Sequence, residues 1–236
     1  MATQADPLRG ISSMATRGLL VELALAYEKT AGRRIAVESV GGVDAVRRVE
    51  AGEPFDFVVL AADAIDKLAA ASHVDPASRT AVVRSGVAVA VRAGAPHPDI
   101  ASEEAVRTAV LGAGRIGYST GPSGVYLTRL FQRWGIAEAI AARIVQAPPG
   151  VPVGTLLARG EVDLGFQQLS ELMHQPGIDV LGPLPPAIQV TTIFSAARCR
   201  PSTRRDETAA WLSYLASAAA AEAKYRHGME PAEGSA

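Results

Sequence analysis

Apolar positions along this chain alternate between two spacings. Leu20, Leu23, Ala24 and Tyr27 follow the i, i+3, i+4, i+7 pattern of one helix face, with Gly32 as a stop and Ser12 or Ser13 as the cap. Arg9 to Ile11 closes a short strand ahead of that helix, and Ile35 to Val40 is a second, β-rich run. Gly41-Gly42 opens a helix over Asp44 to Ala51, and Phe55 to Ala61 is the next apolar strand. Asp63 is placed to cap Ala64 to Ala71, and Gly86 to Arg92 reads as a strand. Ser102 starts another helix, Ile116 to Ser119 is a short strand, and Leu127, Leu130, Phe131 and Trp134 mark a helix that stops at Gly135. Shorter units follow: strand Ile144 to Gln146, helix Val153 to Ala158, strand Val162 to Phe166, helix Leu169 to His174 and strand Asp179 to Leu181. Ile188 to Ser195 is the last long strand, and helices over Glu207 to Ala221 and Ala221 to Arg226 finish the chain. Strands alternating with helices predict an α/β protein whose parallel sheets are covered on both faces.

Composition narrows the class without changing that picture. With 236 residues, 48% hydrophobic and 20% charged, the chain suits one large domain or two small lobes, and needs no disulfide or metal staple. The 23 Lys and Arg against 24 Asp and Glu give a net charge of −1, which opposes the basic field of a nucleic-acid binder. Arg47-Arg48 and Arg204-Arg205 read as solvated helix faces. Cys199 stands alone, so no internal disulfide forms. The apolar runs Phe57 to Ala62 and Val87 to Val91 are far short of the ~18 residues of a membrane span. The start, MATQADPLRG, has no basic and apolar leader, so the chain reads as cytoplasmic, or periplasmic if an export signal was removed.

Few short motifs survive a test of context. Gly112, Gly114 and Gly117 spell G-x-G-x-x-G, but follow a helix and run into a strand, the reverse of a dinucleotide site. Neither a Walker A sequence nor a nucleophile elbow occurs. His73, His97, His174 and His227 are scattered, so no metal and no cofactor is expected. More informative is a repeated design, small and hydroxyl residues just before helices: Ser12-Ser13, Gly41-Gly42, Ser119 to Gly124, and Pro149-Gly150. Helix N-termini expose unpaired N–H groups at the positive end of the helix dipole, so several at one sheet edge make an anion site.

The runs GISSMATRGLLVELALAYE and SVGGVDAVRRVEAGEPFDFVVLAADAIDKL carry a resemblance, as do GPSGVY, PPGVPVGTLLARGEVDLGFQQLSEL and AAAAEAKYRHGMEP. Their order resembles the molybdate-binding family of type II periplasmic binding proteins, which also includes aconitate isomerase. The resemblance spans about Leu8 to Pro231. It implies a two-lobed fold with a ligand cleft between the lobes, lobe I being residues 1–84 and 188–236 and lobe II residues 85–187. The crossings fall near Arg84 and Gln189.

That family's first ligand serine falls on Ser13. Its second falls at Gly42 or Val43, neither of which has a hydroxyl. A backbone donor falls on Ser123 and another near Gly150 or Val151, and the family's tyrosine falls on Gln168. The implied binding set is therefore Ser12, Ser13, Arg17, Gly41, Gly42, Arg84, Ser119, Ser123, Gly124, Gly150, Val151, Gln167 and Gln168. With two side-chain donors of the oxyanion cage gone, an amide wall at Gln167-Gln168 and cations at Arg17 and Arg84, a small organic polycarboxylate is expected. The isomerase of the family implies a sharper version, an allylic proton shift in aconitate, needing anion holes and one base. The alternative is a molybdate or oxyanion receptor with an ABC transporter permease as partner. The base is open: Glu38, Asp63 and Glu171 adjoin the loops, and Tyr118 and Tyr126 are weaker because a phenol titrates far above neutrality.

Overall fold

The structure, a computed structural model, describes residues 6–232. Met1 to Ala5, on which the reading of a missing leader partly rests, lie outside the described residues.

In chain order, β1 (Leu8–Ser13) leads through a short 3-10 turn into α1 (Arg17–Ala31), followed by β2 (Ile35–Val40) and α2 (Gly42–Glu50). Next come β3 (Phe57–Ala61), α3 (Ala62–Ala70), the long β4 (Thr80–Arg92), α4 (Glu103–Gly112) and β5 (Ile116–Tyr118). Then follow α5 (Pro122–Arg133), α6 (Ala137–Ile140), β6 (Ile144–Gln146), α7 (Val153–Ala158), β7 (Leu164–Gln168) and α8 (Leu169–Leu172). The chain ends with β8 (Ile178–Pro183), β9 (Thr191–Arg198), α9 (Arg205–Ala216), α10 (Ala221–Arg226) and β10 (Glu230–Pro231).

These elements form two compact units. One takes the chain up to Arg84 and again from Ile193; the other takes Ser85–Thr192. In the first, β1 is flanked by β2 and β3, both parallel to it, while β3 pairs antiparallel with β9 and β10 pairs antiparallel with β4. In the second, β5 is flanked by the parallel β6 and β7, and β4 pairs antiparallel with β7 and β8. Each sheet is therefore mixed, not parallel throughout as the alternation of elements suggested. The parallel trios come from strand–helix–strand crossovers. β4 and β9, which carry the chain from one unit to the other, supply the antiparallel neighbours.

Alternating side chains bury both faces of each sheet. In the first unit Leu19, Leu20 and Leu23 of α1 pack with Phe57, Val59, Phe194 and Trp211, while Ile11, Val58 and Leu60 meet Ala45, Val49, Ile65 and Leu68 on the other face. Trp211 is wholly buried, its ring 5.2 Å from Tyr27 and 5.9 Å from Phe57. In the second unit Val87 and Val89 turn toward Leu127, Leu130 and Phe131, and Ala88 and Ala90 toward Val153, Leu156 and Leu157.

Several local expectations change. Neither Ser12 nor Ser13 caps α1, because the 3-10 turn intervenes and Ser13 makes no side-chain cap bond. Asp63 sits inside the first turn of α3, whose cap position is Ala61. The last long strand starts at Thr191 because Pro185 leads residues 186–188 into a 3-10 turn. β4 begins six residues earlier than expected, at Thr80, and β10 was not foreseen. Arg48 is no solvated charge: it clamps Glu53 and Glu38 and lies 5.2 Å over the Phe55 ring. Arg204 likewise ties down the carbonyl oxygens of Asp6 and Pro7.

Candidate functional site

In the first unit the carboxyl ends of β1 and β2 lie side by side, with Ser12 opposite Ser39 and Ser13 opposite Val40. This edge carries Ser12 and Ser13 at the end of β1 together with Gly41 and Gly42 at the start of α2. Ser12 is fully buried and its hydroxyl is 2.8 Å from that of Ser39. Ser39 escaped the sequence reading; its signal is the lateral match of two serines across parallel strands. Ser13 is 9% exposed, and its hydroxyl is buried without a protein partner. A buried hydroxyl with no partner is costly; Ser13 shares this state with Ser170, Ser195 and Thr208, and stands at the carboxyl end of β1. Gly41 occupies the cap position of α2, whose first N–H groups have no intrahelical acceptor. A Cβ built on Gly42 would meet nothing within 4 Å, so the missing hydroxyl there is a matter of sequence and not of space. Arg17 begins α1 and is exposed. Arg84 turns its guanidinium to Glu230, at 2.7 Å from Nε and 2.6 Å from Nη2. A ligand carboxylate would have to displace Glu230 to use that fork.

In the second unit the carboxyl ends of β5, β6 and β7 share an edge, Tyr118 standing beside both Gln146 and Phe166. Ser119 lies in the turn from β5 to α5, and Ser123 and Gly124 in the first turn of α5. Ser123 is 1% exposed, and its hydroxyl is 3.5 Å from that of Ser119, the limit of a hydrogen bond. Pro122 has no N–H, so the open donors of this turn are the N–H groups of Ser123 and Gly124. Gly124 has to be glycine: a Cβ would lie 1.7 Å from the Ser119 carbonyl oxygen.

Three expected ligand groups of this unit are already occupied. The Val151 N–H closes a turn on the Pro148 oxygen at 3.0 Å, with Gly150 in the left-handed conformation at φ 78°. The Gln167 amide oxygen accepts from the Val153 N–H at 2.8 Å, and its nitrogen donates to Glu171 Oε1 at 2.7 Å. Gln168, 2% exposed, is satisfied when its nitrogen faces the carbonyl oxygens of Ser85 and Gly86 at 3.1 and 3.2 Å. Its oxygen then accepts from the Thr192 hydroxyl at 2.9 Å. The amide wall read from sequence is thus an internal brace.

The acid and phenol candidates now separate. The Arg48 guanidinium holds the Glu38 carboxyl below the usual carboxylate range. Asp63 is exposed. Tyr126 donates to the Ile188 oxygen at 2.6 Å, and burial pushes its phenol further up. Tyr118 is packed in the core. Glu171 differs: it lies deep in the protein mass while part of its surface stays accessible, and burial pushes its carboxyl up to about 7. The Gln167 bond pulls the other way and is the smaller effect.

Elsewhere, His97 pairs with Asp179 and His227 with Glu22. Among the described residues no group of three or more His, Cys, Asp or Glu is set to hold a metal ion. A depression of about 360 Å³ lined by Asp6, Pro7, Arg9, Pro54, Asp56 and Arg204 sits at the amino end of β1, away from the serine edge. Its charges are turned on their own neighbours, Arg204 on backbone oxygens and Asp56 on the Ser202 hydroxyl and the Arg9 N–H. No helix among the described residues is long and apolar enough to cross a membrane.

Comparison with known proteins bears on the family and the fold. An aconitate isomerase of Pseudomonas sp. is 40% identical over 236 residues, covering 98% of this chain and 90% of its own length. The periplasmic molybdate-binding protein of Azotobacter vinelandii has the same fold, with a TM-score of 0.78 at 21% identity over 94% of this chain and 98% of that one. So does the sulfate-binding protein of Mycobacterium tuberculosis, with a TM-score of 0.77 at 16% identity over 97% and 88% of the two chains. The sequence profile of the bacterial extracellular solute-binding proteins matches residues 8–230. From the start of β1 to the start of β10, then, this chain is a member of the bacterial extracellular solute-binding protein family.

Proposed function

We propose that the chain binds a small organic polycarboxylate and isomerises it, as an aconitate isomerase does. The observation that carries this reading is the 40% identity to an aconitate isomerase along 98% of the chain. The unpartnered Ser13 hydroxyl supports it, because a carboxylate oxygen would satisfy that donor. The first unit also offers the Ser12–Ser39 pair and the N–H groups at the start of α2 as donors, and the second unit, taken by itself, offers the N–H groups of Ser123 and Gly124. Arg17 is an exposed cation at the start of α1, four residues after Ser13. The test is to incubate the protein with trans-aconitate and follow the cis/trans ratio. Conversion at a rate proportional to protein is expected, and an unchanged ratio at high protein concentration rejects the enzyme.

A second reading has its own observation: the fold is shared with molybdate- and sulfate-binding proteins. It makes the chain an oxyanion receptor, exported and partnered by an ABC transporter permease. The bare Gly42 weighs against a tight molybdate cage, since a desolvated oxyanion needs each oxygen paired. Calorimetry with both ligands at one ionic strength separates the two readings.

A further inference from the structure

We propose that Glu171 is the catalytic residue that carries the proton in this isomerisation, and that the Gln167 amide is the positioning residue that aims it. The inference rests on the isomerase reading and deepens it.

The arrangement is fixed by one chain of hydrogen bonds. The Val153 N–H can only donate, so it takes the oxygen of Gln167, at 2.8 Å, and leaves the amide nitrogen toward Glu171. That nitrogen then donates to Glu171 Oε1 at 2.7 Å. One carboxylate oxygen is thereby pinned, and the other makes no hydrogen bond or ion pair with any described residue. Beside it in α8, the Ser170 hydroxyl is buried with no partner. Glu171 follows the carboxyl end of β7, and β7 ends next to β5, whose loop carries Ser119, Ser123 and Gly124. Base and anion donors thus belong to one edge of one sheet.

Among the described residues no cation is hydrogen-bonded or ion-paired to this carboxylate. β7 (Leu164–Gln168) and α7 (Val153–Ala158), which pack against α8, contain no titratable side chain. The nearest along the chain are His174 and Asp163, both exposed, and Asp179, which pairs with His97. The other carboxylates near the loops are spent on Arg48 or open to solvent. Burial brings the Glu171 carboxyl to about 7, so its acid and base forms coexist near neutrality, as a group that takes and returns a proton requires.

The step balances without any co-reactant. Glu171 carboxylate takes a proton from the methylene carbon beside the double bond. The C–H electron pair becomes the new double bond to the central carbon. The former double-bond pair takes the proton back from Glu171 at the far carbon, and the carboxylate is regenerated. Charge that builds up in between spreads onto a substrate carboxylate, where the hydroxyl and N–H donors would hold it.

The test compares wild type, Glu171→Gln and Glu171→Asp on trans-aconitate, reading turnover, calorimetric affinity, pH profile and deuterium uptake from D2O. Glu171→Gln is expected to lose about 100-fold or more in turnover and its deuterium uptake, with affinity held within about 5-fold. Glu171→Asp is expected to lose about 10-fold or more and to shift the acid limb of the profile, and it serves if Glu171→Gln does not fold. Turnover of either variant equal to wild type, or affinity and turnover falling together, overturns the base. A wild type that isomerises while Glu171→Gln does too removes Glu171 alone. A wild type that binds and never isomerises removes the isomerase reading and the base with it.

Discussion

At the scale of the residue, burial and pairing sort groups that the sequence presents as equals. Glu171 has a folded-state carboxyl raised from 4.5 to about 7, so its protonated form is the one the fold favours. The stability it contributes is fully present below about 4.5 and lost as pH rises through about 7, by roughly 3 kcal/mol at most. Glu171→Gln should therefore gain on wild type between pH 5 and pH 8 in urea unfolding; parallel stability profiles would contradict this. Ser13→Ala makes an opposite pair of predictions. It should weaken ligand binding by roughly 5- to 10-fold, since one net hydrogen bond is lost, yet leave the empty protein as stable or slightly more so, because the hydroxyl has no partner to lose. A drop in Tm without ligand would mean that Ser13 is bonded inside the protein. Gly42→Ser restores a hydroxyl where there is room for it, and should strengthen molybdate binding several-fold by calorimetry. At this scale the sequence showed hydroxyls, amides and acids at the carboxyl ends of the strands. It could not show that Gln167, Gln168 and the Val151 N–H are committed inside the protein, because those partners come from Glu171, Val153, Ser85, Thr192 and Pro148 as the chain folds.

At the scale of the element, periodicity was a good guide wherever one face is buried and a poor one at ends and edges. α1 and α5 were legible from Leu20, Leu23, Leu127 and Leu130, because a helix that buries a stripe must repeat it. Thr80 to Ser85 of β4 was not, because its pairing with β10 depends on residues nearly 150 positions away, Arg84 standing opposite Glu230. Trp211 of α9 fills the core between Tyr27 and Phe57, so Trp211→Ala should cost roughly 3–5 kcal/mol in chemical denaturation. A loss under about 1 kcal/mol would show that the neighbouring rings close the gap.

At the scale of the whole molecule, ligand choice is the quantity to measure. A ligand at ~100 times its Kd stabilises the folded state by about 2.7 kcal/mol, a shift of a few degrees for a chain of this size. Trans-aconitate is expected to raise the Tm in this way and molybdate, at equal concentration and salt, to raise it less; the reverse order would restore the oxyanion receptor. The sequence by itself determined the α/β class, the order of the elements, the edges at which serines and glycines gather, and the family, since each of these is written in local periodicity or in the order of motifs. Tertiary structure alone decided which strands run antiparallel, that Arg84 answers Glu230, that Ser13 has a donor to spare, and that Glu171 stands apart from Glu38 and Asp63. The physical reason is common to all four. Pairing, desolvation and the satisfaction of a buried polar atom are set by neighbours distant in the chain, and those neighbours exist only once it has folded.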